Sequence, residues 1–167
     1  MKIKSLRDLF EIKLRYAYDC EQKLVKKGLP TMIELASSSE LRNALEQHLE
    51  QTREHVTRLE EVFAFAGTEA DTKGNDVFDK MASAAKDNED IESPSLRDAA
   101  LISSGNEVEH YEIALYGSLA AWAQQLGLQD AVNLLKQTLQ EEKDADAKLT
   151  ALGSTVNAQA AQERRAA

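Results

Sequence analysis

Residues 102–122, ISSGNEVEHYEIALYGSLAAW, are the stretch that decides the fold of this chain. Apolar and small residues recur in and around it in steps of four and three, which places them on one stripe of a helix. They are Leu101, Gly105, Val108, Leu115, Leu119 and Trp122. Glu112 fills the gap in this stripe, and Glu109 lies one turn before it. A core carboxylate is costly unless it is paired, protonated or bound to a metal, so the partner of these two residues is the central question.

The composition favours a helical bundle. The chain has 167 residues, only 5% of them aromatic, with seven glycines and two prolines. This length suits one domain with a real core, and so few helix breakers argue against a sheet. The single cysteine, Cys20, excludes an internal disulfide and is interpreted as a small buried residue.

Charge and hydropathy exclude several function classes. A net charge of −9 argues against non-specific nucleic-acid binding and against an anionic membrane surface. We find no apolar run near 18 residues and no signal-peptide pattern, which predicts a cytoplasmic protein. No nucleophile with a base, phosphate loop or zinc-type cluster is evident.

Four long helices are predicted from the spacing of apolar residues. Helix A begins after Ser5 and carries Leu14 and Leu24 on its inner face until Gly28 and Pro30 interrupt the pattern. Residues 31–36, TMIELA, either continue this helix beyond a proline kink or form a separate turn. Helix B covers about 40–66, with Ser39 as its N-cap and Gly67 as its C-cap.

A polar crossover follows helix B and contains a short amphipathic helix from Val77 to about residue 90. Helix C is predicted over 95–125 and helix D over 128–152, with a turn at Gly127. Gly153 is expected to end helix D, and 153–167 to form a frayed tail. Two helical hairpins joined by a long crossover make an all-α four-helix bundle over residues 1–152.

Every long helix has an ionisable residue on its inner stripe. These residues are Glu21 on helix A, His48 and His55 on helix B, Glu109 and Glu112 on helix C, and Glu142 on helix D. Glu112 and Glu142 lie 15 residues to either side of Gly127, so they should face each other about 22 Å from that turn. Glu21 matches His55 in depth if helix A reaches residue 36, and matches His48 if helix A ends near Gly28.

Carboxylates that meet in a dry core cannot all be ionised unless cations compensate them. Carboxylates with one or two imidazoles suit iron or manganese, and a bundle can hold two such ions. Each residue taken alone has a simpler interpretation: a flanking glutamate, a hydrogen-bonded core histidine or, for Glu141, a solvated face. The coincidence of four helices at one depth is what favours a metal centre.

Several segments resemble the YciF-like family of bacterial ferritin-like proteins. The segments are DAALI (98–102), EHYEIALYG (109–117), LLKQTLQEEKDADAKL (134–149), YDCEQKL (18–24) and HLEQT (48–52), and the match covers about residues 3–152 in order. The resemblance implies a ferritin-like bundle, usually a homodimer, with a di-iron or di-manganese type centre. It also implies an association with bacterial stress responses, but no substrate.

The resemblance places candidate ligands at Glu21, His48, Glu109, Glu112 and Glu142. It also exposes a departure, because Gln51 stands where the family commonly has a second glutamate. His55, one turn away, is a hypothetical substitute for that ligand. The Glu-x-x-His pairs of ferritins proper are missing too, since Ala145 follows Glu142 at that spacing.

Two functions remain open at this point. The first is a metalloprotein that binds one or two iron or manganese ions and performs peroxide or dioxygen chemistry. The second is a non-enzymatic dimeric interaction or structural protein whose metal site is vestigial or partly occupied. An iron-storage cage is disfavoured, because the Ala/Gln/Arg tail does not resemble the fifth helix of cage ferritins.

Overall fold

The computed structural model describes residues 3–166, with side chains described for 3–162. Its elements in chain order are α1 (Leu6–Lys23), a π-helical turn (Leu24–Gly28), α2 (Leu29–Leu35), α3 (Ser39–Phe65), α4 (Asp76–Ala84), a 3₁₀ turn (Ala85–Asp90), α5 (Pro94–Gln125) and α6 (Gln129–Ala166). Helix α5 packs against α6 and α1, and α3 packs against α6 and α1. The predicted four-helix bundle is confirmed, with α4 in the crossover.

The first helical arm, which consists of α1, the π-helical turn and α2, continues through Gly28 and Pro30 rather than ending there. The Leu29 N–H donates to the Leu24 carbonyl, which is the wider spacing of a π-helical turn. A proline ring clashes with the carbonyl four residues earlier, and the wider turn relieves that clash before Pro30. Of the two alternatives for residues 31–36, the continued helix is correct.

A side-chain N-cap begins α3, and glycines with positive φ values follow the ends of α3 and α5. The Ser38 hydroxyl accepts from the Leu41 N–H, so the N-cap of α3 lies one residue before the predicted Ser39. Gly67 and Gly127 have φ values of +67° and +74°, and both end helices as predicted.

The buried Asp98 fixes the depth of the first hairpin against α5. Its two carboxylate oxygens accept from the backbone N–H groups of Ser37 and Ser38, each at 2.7 Å. Only 3% of Asp98 is exposed. A charge-assisted pair of this kind positions the α2–α3 turn on α5 and therefore sets which residues of α1 and α3 reach the same level.

The predicted end of helix D at Gly153 is wrong. Helix α6 runs to Ala166, and Val156 beyond the glycine is only 5% exposed. A Cβ atom on Gly153 would lie 3.5 Å from Ile102 Cγ2, so this glycine packs against α5 instead of capping α6. Helix therefore replaces the predicted frayed tail up to 166, and residue 167 lies outside the described residues.

Two apolar clusters fill the bundle and leave a polar level between them. One cluster includes Phe10, Leu14, Leu59, Val62, Leu115, Leu119 and Leu135. The other includes Leu24, Leu41, Leu45, Leu101, Ile102 and Leu149. On α3, α5 and α6 the polar residues lie between the members of the two clusters, as Glu21 does between Leu14 and Leu24 on the first arm. None of the helices over residues 3–166 is both long enough and apolar enough to cross a membrane.

Candidate metal centre

The structure brings the six predicted residues into the polar level, and all are buried. Their exposed fractions are 0% for Glu21, His55 and Glu142, 1% for Glu112, 3% for Glu109 and 7% for His48. The predicted coincidence in depth is therefore present in the fold. Five of the six divide into two groups that share Glu142.

The first group, which we call the enclosed group, consists of Glu21, His55 and Glu142. His55 Nδ1 lies 3.4 Å from Glu21 Oε1 and 3.0 Å from Glu142 Oε1. One ligand atom from each residue lies within 4.8 Å of the others. Glu21 and His55 meet because helix α2 carries the first arm to Leu35, which is the depth match expected for a continued helix.

The second group, which we call the cavity-side group, consists of His48, Glu109 and Glu142. His48 Nε2 lies 3.2 Å from Glu109 Oε1 and 3.8 Å from Glu142 Oε2. Again the three ligand atoms lie within 4.8 Å of one another. Glu142 thus presents one oxygen to each group.

Several polar atoms in these groups have no hydrogen-bond partner within the described residues. They are Glu21 Oε2, His48 Nδ1, Glu109 Oε2 and Glu142 Oε2. Buried polar atoms are nearly always satisfied, so such a concentration in one place calls for an unseen partner. A set of carboxylate oxygens and imidazole nitrogens matches the preferences of iron and manganese, and the residues present fit two such ions.

In the absence of a metal, the two imidazoles are the available counter-charges. Burial disfavours a charged His48, but the hydrogen bond to Glu109 and that carboxylate's charge raise its pKa to about 9. Burial opposes the charge on His55 as well, yet Glu21 and Glu142 raise its pKa to about 11. Burial raises the pKa of Glu142 to about 7 despite the contact with His55.

Glu112 lies at the polar level but belongs to neither group. The Cys20 thiol donates to Glu112 Oε1 at 3.6 Å, and Oε2 has no hydrogen-bond partner in the described part of the chain. Burial and the charges of Glu21 and Glu142 raise the pKa of Glu112 well above its ordinary range. Cys20 itself is 0% exposed, which confirms its prediction as a buried residue.

Glu141 is not the solvated residue that the sequence predicts. His55 Nε2 lies 2.8 Å from Glu141 Oε2, and Arg58 donates to both oxygens of the same carboxylate at 2.6 and 3.1 Å. Burial opposes ionisation of Glu141, but the bonds from Arg58 and His55 hold its pKa below the ordinary value. This carboxylate orients the ring of His55 so that Nδ1 points into the enclosed group.

Tyr116 completes the enclosed group on the side of α5. Its hydroxyl donates to Glu21 Oε1, and only 1% of the residue is exposed. Burial and the surrounding carboxylates raise the pKa of Tyr116 well above its ordinary range, so the phenol stays a donor. Tyr116 lies one turn from Glu112 in the sequence, but helical spacing alone does not distinguish it from an ordinary core aromatic.

A cavity of about 440 Å³ opens beside the cavity-side group. Its lining includes His48, Glu109, Gln51 and Ala145, and Gln51 is exposed. The two departures from ferritin-like motifs therefore line the approach to one group. His55 lies in the other group, so the geometry gives no support to the hypothesis that it replaces a glutamate at position 51.

A four-helix bundle with buried carboxylates and imidazoles from all four helices defines a ferritin-like protein. More specifically, the chain belongs to the family described as Domain of unknown function (DUF892), whose model matches residues 5–162. The resemblance to YciF-like proteins is confirmed by comparison with known proteins. Protein YciF of Escherichia coli (strain K12) is 38% identical over 161 residues, covering 91% of this chain and 92% of its own.

Solved structures agree with this assignment. The crystal structure of the E. coli stress protein YciF has a TM-score of 0.88 and 35% identity, covering 92% of this chain and 98% of its own. The structure of YcfI from Rhodopseudomonas palustris has a TM-score of 0.86 and 38% identity. The match covers 89% of this chain and 95% of YcfI. A protein from Xanthomonas campestris shares the fold, with a TM-score of 0.75 and 18% identity. The match covers 96% of this chain and 99% of that protein.

Proposed function

We propose that this chain is a cytoplasmic, bacterial stress-associated metalloprotein that binds two iron or manganese ions in its core. Glu21 and His55 would hold one ion, His48 and Glu109 would hold the other, and Glu142 would contribute an oxygen to each. Glu112 lies at the same buried level, where the charges of Glu21, Glu109 and Glu142 act on it. The stress association follows from the description of E. coli YciF as a stress protein.

This proposal rests on the buried ligand atoms around Glu142, which lie within 4.8 Å of one another in each group and several of which form no hydrogen bond within the described residues. Four carboxyl groups and two imidazoles meet at this level, so full ionisation of the carboxyls would leave an excess of negative charge even with both rings protonated. In metal-free protein protonation removes this excess, in keeping with the raised pKa values of Glu112 and Glu142. Two divalent ions would remove that excess without protonating any carboxylate.

Bound iron or manganese would supply redox chemistry toward peroxide or dioxygen. The chain's own residues prepare the two positions differently. Arg58 and Glu141 orient His55, and Tyr116 donates a hydrogen bond to Glu21, so the enclosed group is held rigidly. His48 and Glu109 line a cavity of about 440 Å³, which lets small molecules approach the second group.

Elemental analysis of untagged protein, grown with iron and manganese and reported per chain, tests the proposal. Glu142→Gln keeps the shape of the shared residue and weakens two positions at once, so metal content should fall from about two ions to near zero. Glu61→Gln, a change on the exposed face of α3, is the matched control and should retain both ions. Metal-free wild type, or equal content in both variants, would refute the proposal.

A specific observation favours a second candidate, a helical interaction protein without a working metal centre. The raised pKa values of His48 and His55 show that protonated imidazoles already neutralise part of the buried charge. The related YcfI is described, provisionally, as a structural protein. In this case chelators would leave the melting temperature unchanged, whereas a two-metal protein would lose several degrees.

The homodimer implied by the family resemblance remains a proposal for either candidate. Light scattering at several protein concentrations would measure the mass in solution, for which a single chain contributes 18.5 kDa. A mass corresponding to one chain at micromolar concentration would contradict it.

A further inference from the structure

A second cavity, of about 350 Å³, lies between the π-helical turn, α4 with its 3₁₀ turn, and α5. It shares no lining residue with the cavity beside His48. The π-helical turn at Leu24–Gly28 contributes part of its lining, and turns of this type are rare and frequently found at functional sites.

The walls of this cavity are mainly hydrocarbon. The apolar side chains that line it are Leu24, Met32, Leu35, Phe78, Leu101 and Val108. Leu24, Phe78 and Leu101 are between 1% and 5% exposed, so they belong to the ordered core and form a fixed surface. An aliphatic chain placed against them would leave water for an apolar environment, which is favourable by about 0.8 kcal/mol for each buried methylene group.

The lining of the same cavity also carries more lysines than acidic residues. Lys26, Lys27 and Lys86 line it, are exposed, and form no ion pair within the described residues. The carboxylate of Asp79 on the lining is paired with Lys23 at 2.6 Å. This leaves Glu89 as the acidic group opposing three unpaired lysines, on a chain whose net charge is −9.

We propose that this cavity binds a free medium-chain fatty acid. The aliphatic tail would lie against Leu24, Phe78 and Leu101, and the carboxylate would face Lys27 and Lys86. The volume is at the small end of the range of about 300–1,000 Å³ that is common for ligand sites, which suits a chain of about ten carbons and excludes a two-chain phospholipid. The charge complementarity selects the acid over a neutral hydrocarbon.

Calorimetric titration of untagged full-length protein with decanoate, below its micellar concentration, tests this proposal. We expect saturable binding of one decanoate per chain, with a Kd of about 10 µM that weakens as salt is added. Ala82→Trp fills the cavity from α4 and should weaken binding at least about tenfold. A double change of Lys27→Glu and Lys86→Glu should weaken it about fivefold or more at low salt.

Lys80→Glu is the matched control, because Lys80 is exposed on α4 but does not line the cavity. It should keep the decanoate Kd within about twofold of the wild type. 1-Decanol, which has the tail without the charge, should bind at least about fivefold more weakly than decanoate. If Ala82→Trp fails to fold by circular dichroism, Ser83→Trp, also on the lining, replaces it.

Four outcomes would overturn the proposal. The first is no saturable decanoate binding up to about 1 mM. The second is unchanged binding in a folded cavity-filling variant. The third is an equal loss in Lys80→Glu, which would indicate bulk charge. The fourth is co-sedimentation with phosphatidylglycerol vesicles without binding of free decanoate, which would make the lysines a membrane contact.

Discussion

The enclosed group and the cavity-side group share Glu142, yet their surroundings differ on every other side. In the enclosed group, His55 is 0% exposed and its Nε2 atom contacts Glu141. Arg58 donates two hydrogen bonds to the same carboxylate. In the cavity-side group, His48 borders a cavity of about 440 Å³ and its Nδ1 lacks a hydrogen-bond partner in the described structure.

One polar level can therefore hold two groups with different properties. A ring fixed by a carboxylate and a guanidinium keeps its geometry whether or not an ion is present. The His48 ring lines a cavity, so water can replace the group that it contacts. We therefore expect the enclosed group to contribute more to stability and the cavity-side group to control ligand exchange.

The largest expected effect comes from removing each imidazole in turn from metal-free protein. His55→Ala leaves the buried carboxylates of the enclosed group without a counter-charge and should lower the free energy of unfolding by about 3–5 kcal/mol. His48→Ala should cost about 1–2 kcal/mol, because water from the cavity can reach Glu109. Urea denaturation measures both, and His110→Ala at an exposed position is the control. Equal losses for the two variants would remove the distinction between the groups.

The pH dependence should separate metal-free from metal-bound protein. The folded-state pKa of His48 is raised to about 9, so its stabilising contribution is complete below pH 6.5 and is lost as pH rises toward 9. Glu142, raised to about 7, changes stability in the same direction between pH 4.5 and 7. His55, whose pKa is raised to about 11, also loses stabilisation as pH rises above 6.5, so metal-free protein should lose more than about 3 kcal/mol between pH 6 and 9.

Metal-bound protein should show the opposite trend over this range, because ions compete with protons for His48, His55 and Glu142. Thermal unfolding with and without added manganese, at matched ionic strength, measures both curves. His48→Gln should flatten the metal-free curve. A metal-free protein that gains stability toward pH 9 would contradict the assigned charges.

Glu141→Gln tests the support of the enclosed group alone. The neutral amide keeps the shape but weakens the contacts with both His55 and Arg58, so metal affinity at the enclosed position should fall about 10–100-fold. Metal affinity at the cavity-side position should be unaffected. Competition with a coloured chelator should therefore show two phases, one for each position. Glu61→Gln serves as the control on an exposed face, and a uniform loss at both positions would show that the groups are not independent.

The smallest effect is expected from Gln51→Glu. Residue 51 is exposed on the cavity lining, so a carboxylate there adds a nearby negative charge without disturbing the core. Affinity at the cavity-side position should rise by up to about tenfold, or about 1.4 kcal/mol, with little change in metal-free stability. The same chelator competition measures this, and a gain confined to the enclosed position would reverse the proposed roles.

Much of the polar level is predictable from the sequence because helical periodicity fixes which side of each helix is buried. Counting from Gly127 places Glu112 and Glu142 at one level, and counting through residue 36 pairs Glu21 with His55. Both counts are local properties of a hairpin. Gln51 is also noticeable in the sequence, as a departure from the family pattern.

Features that depend on contacts between helices were not predictable in this way. Glu141 is next to a core position and resembles any solvated glutamate until Arg58 and His55 of α3 are placed against it. Gly153 resembles a helix stop, but in the fold α6 continues through it and packs against Ile102. In both cases the deciding partner is far away in sequence, so local periodicity gives no signal.

Glu142 also has an evolutionary consequence. Because this one residue reaches both groups, a single substitution would disable both of the proposed metal positions in one step. The apolar clusters on either side would keep the bundle folded after such a loss. A lineage could therefore convert a metal protein into a purely structural one without passing through an unfolded intermediate, and the residue aligned with Glu142 would be the first place to look for that history.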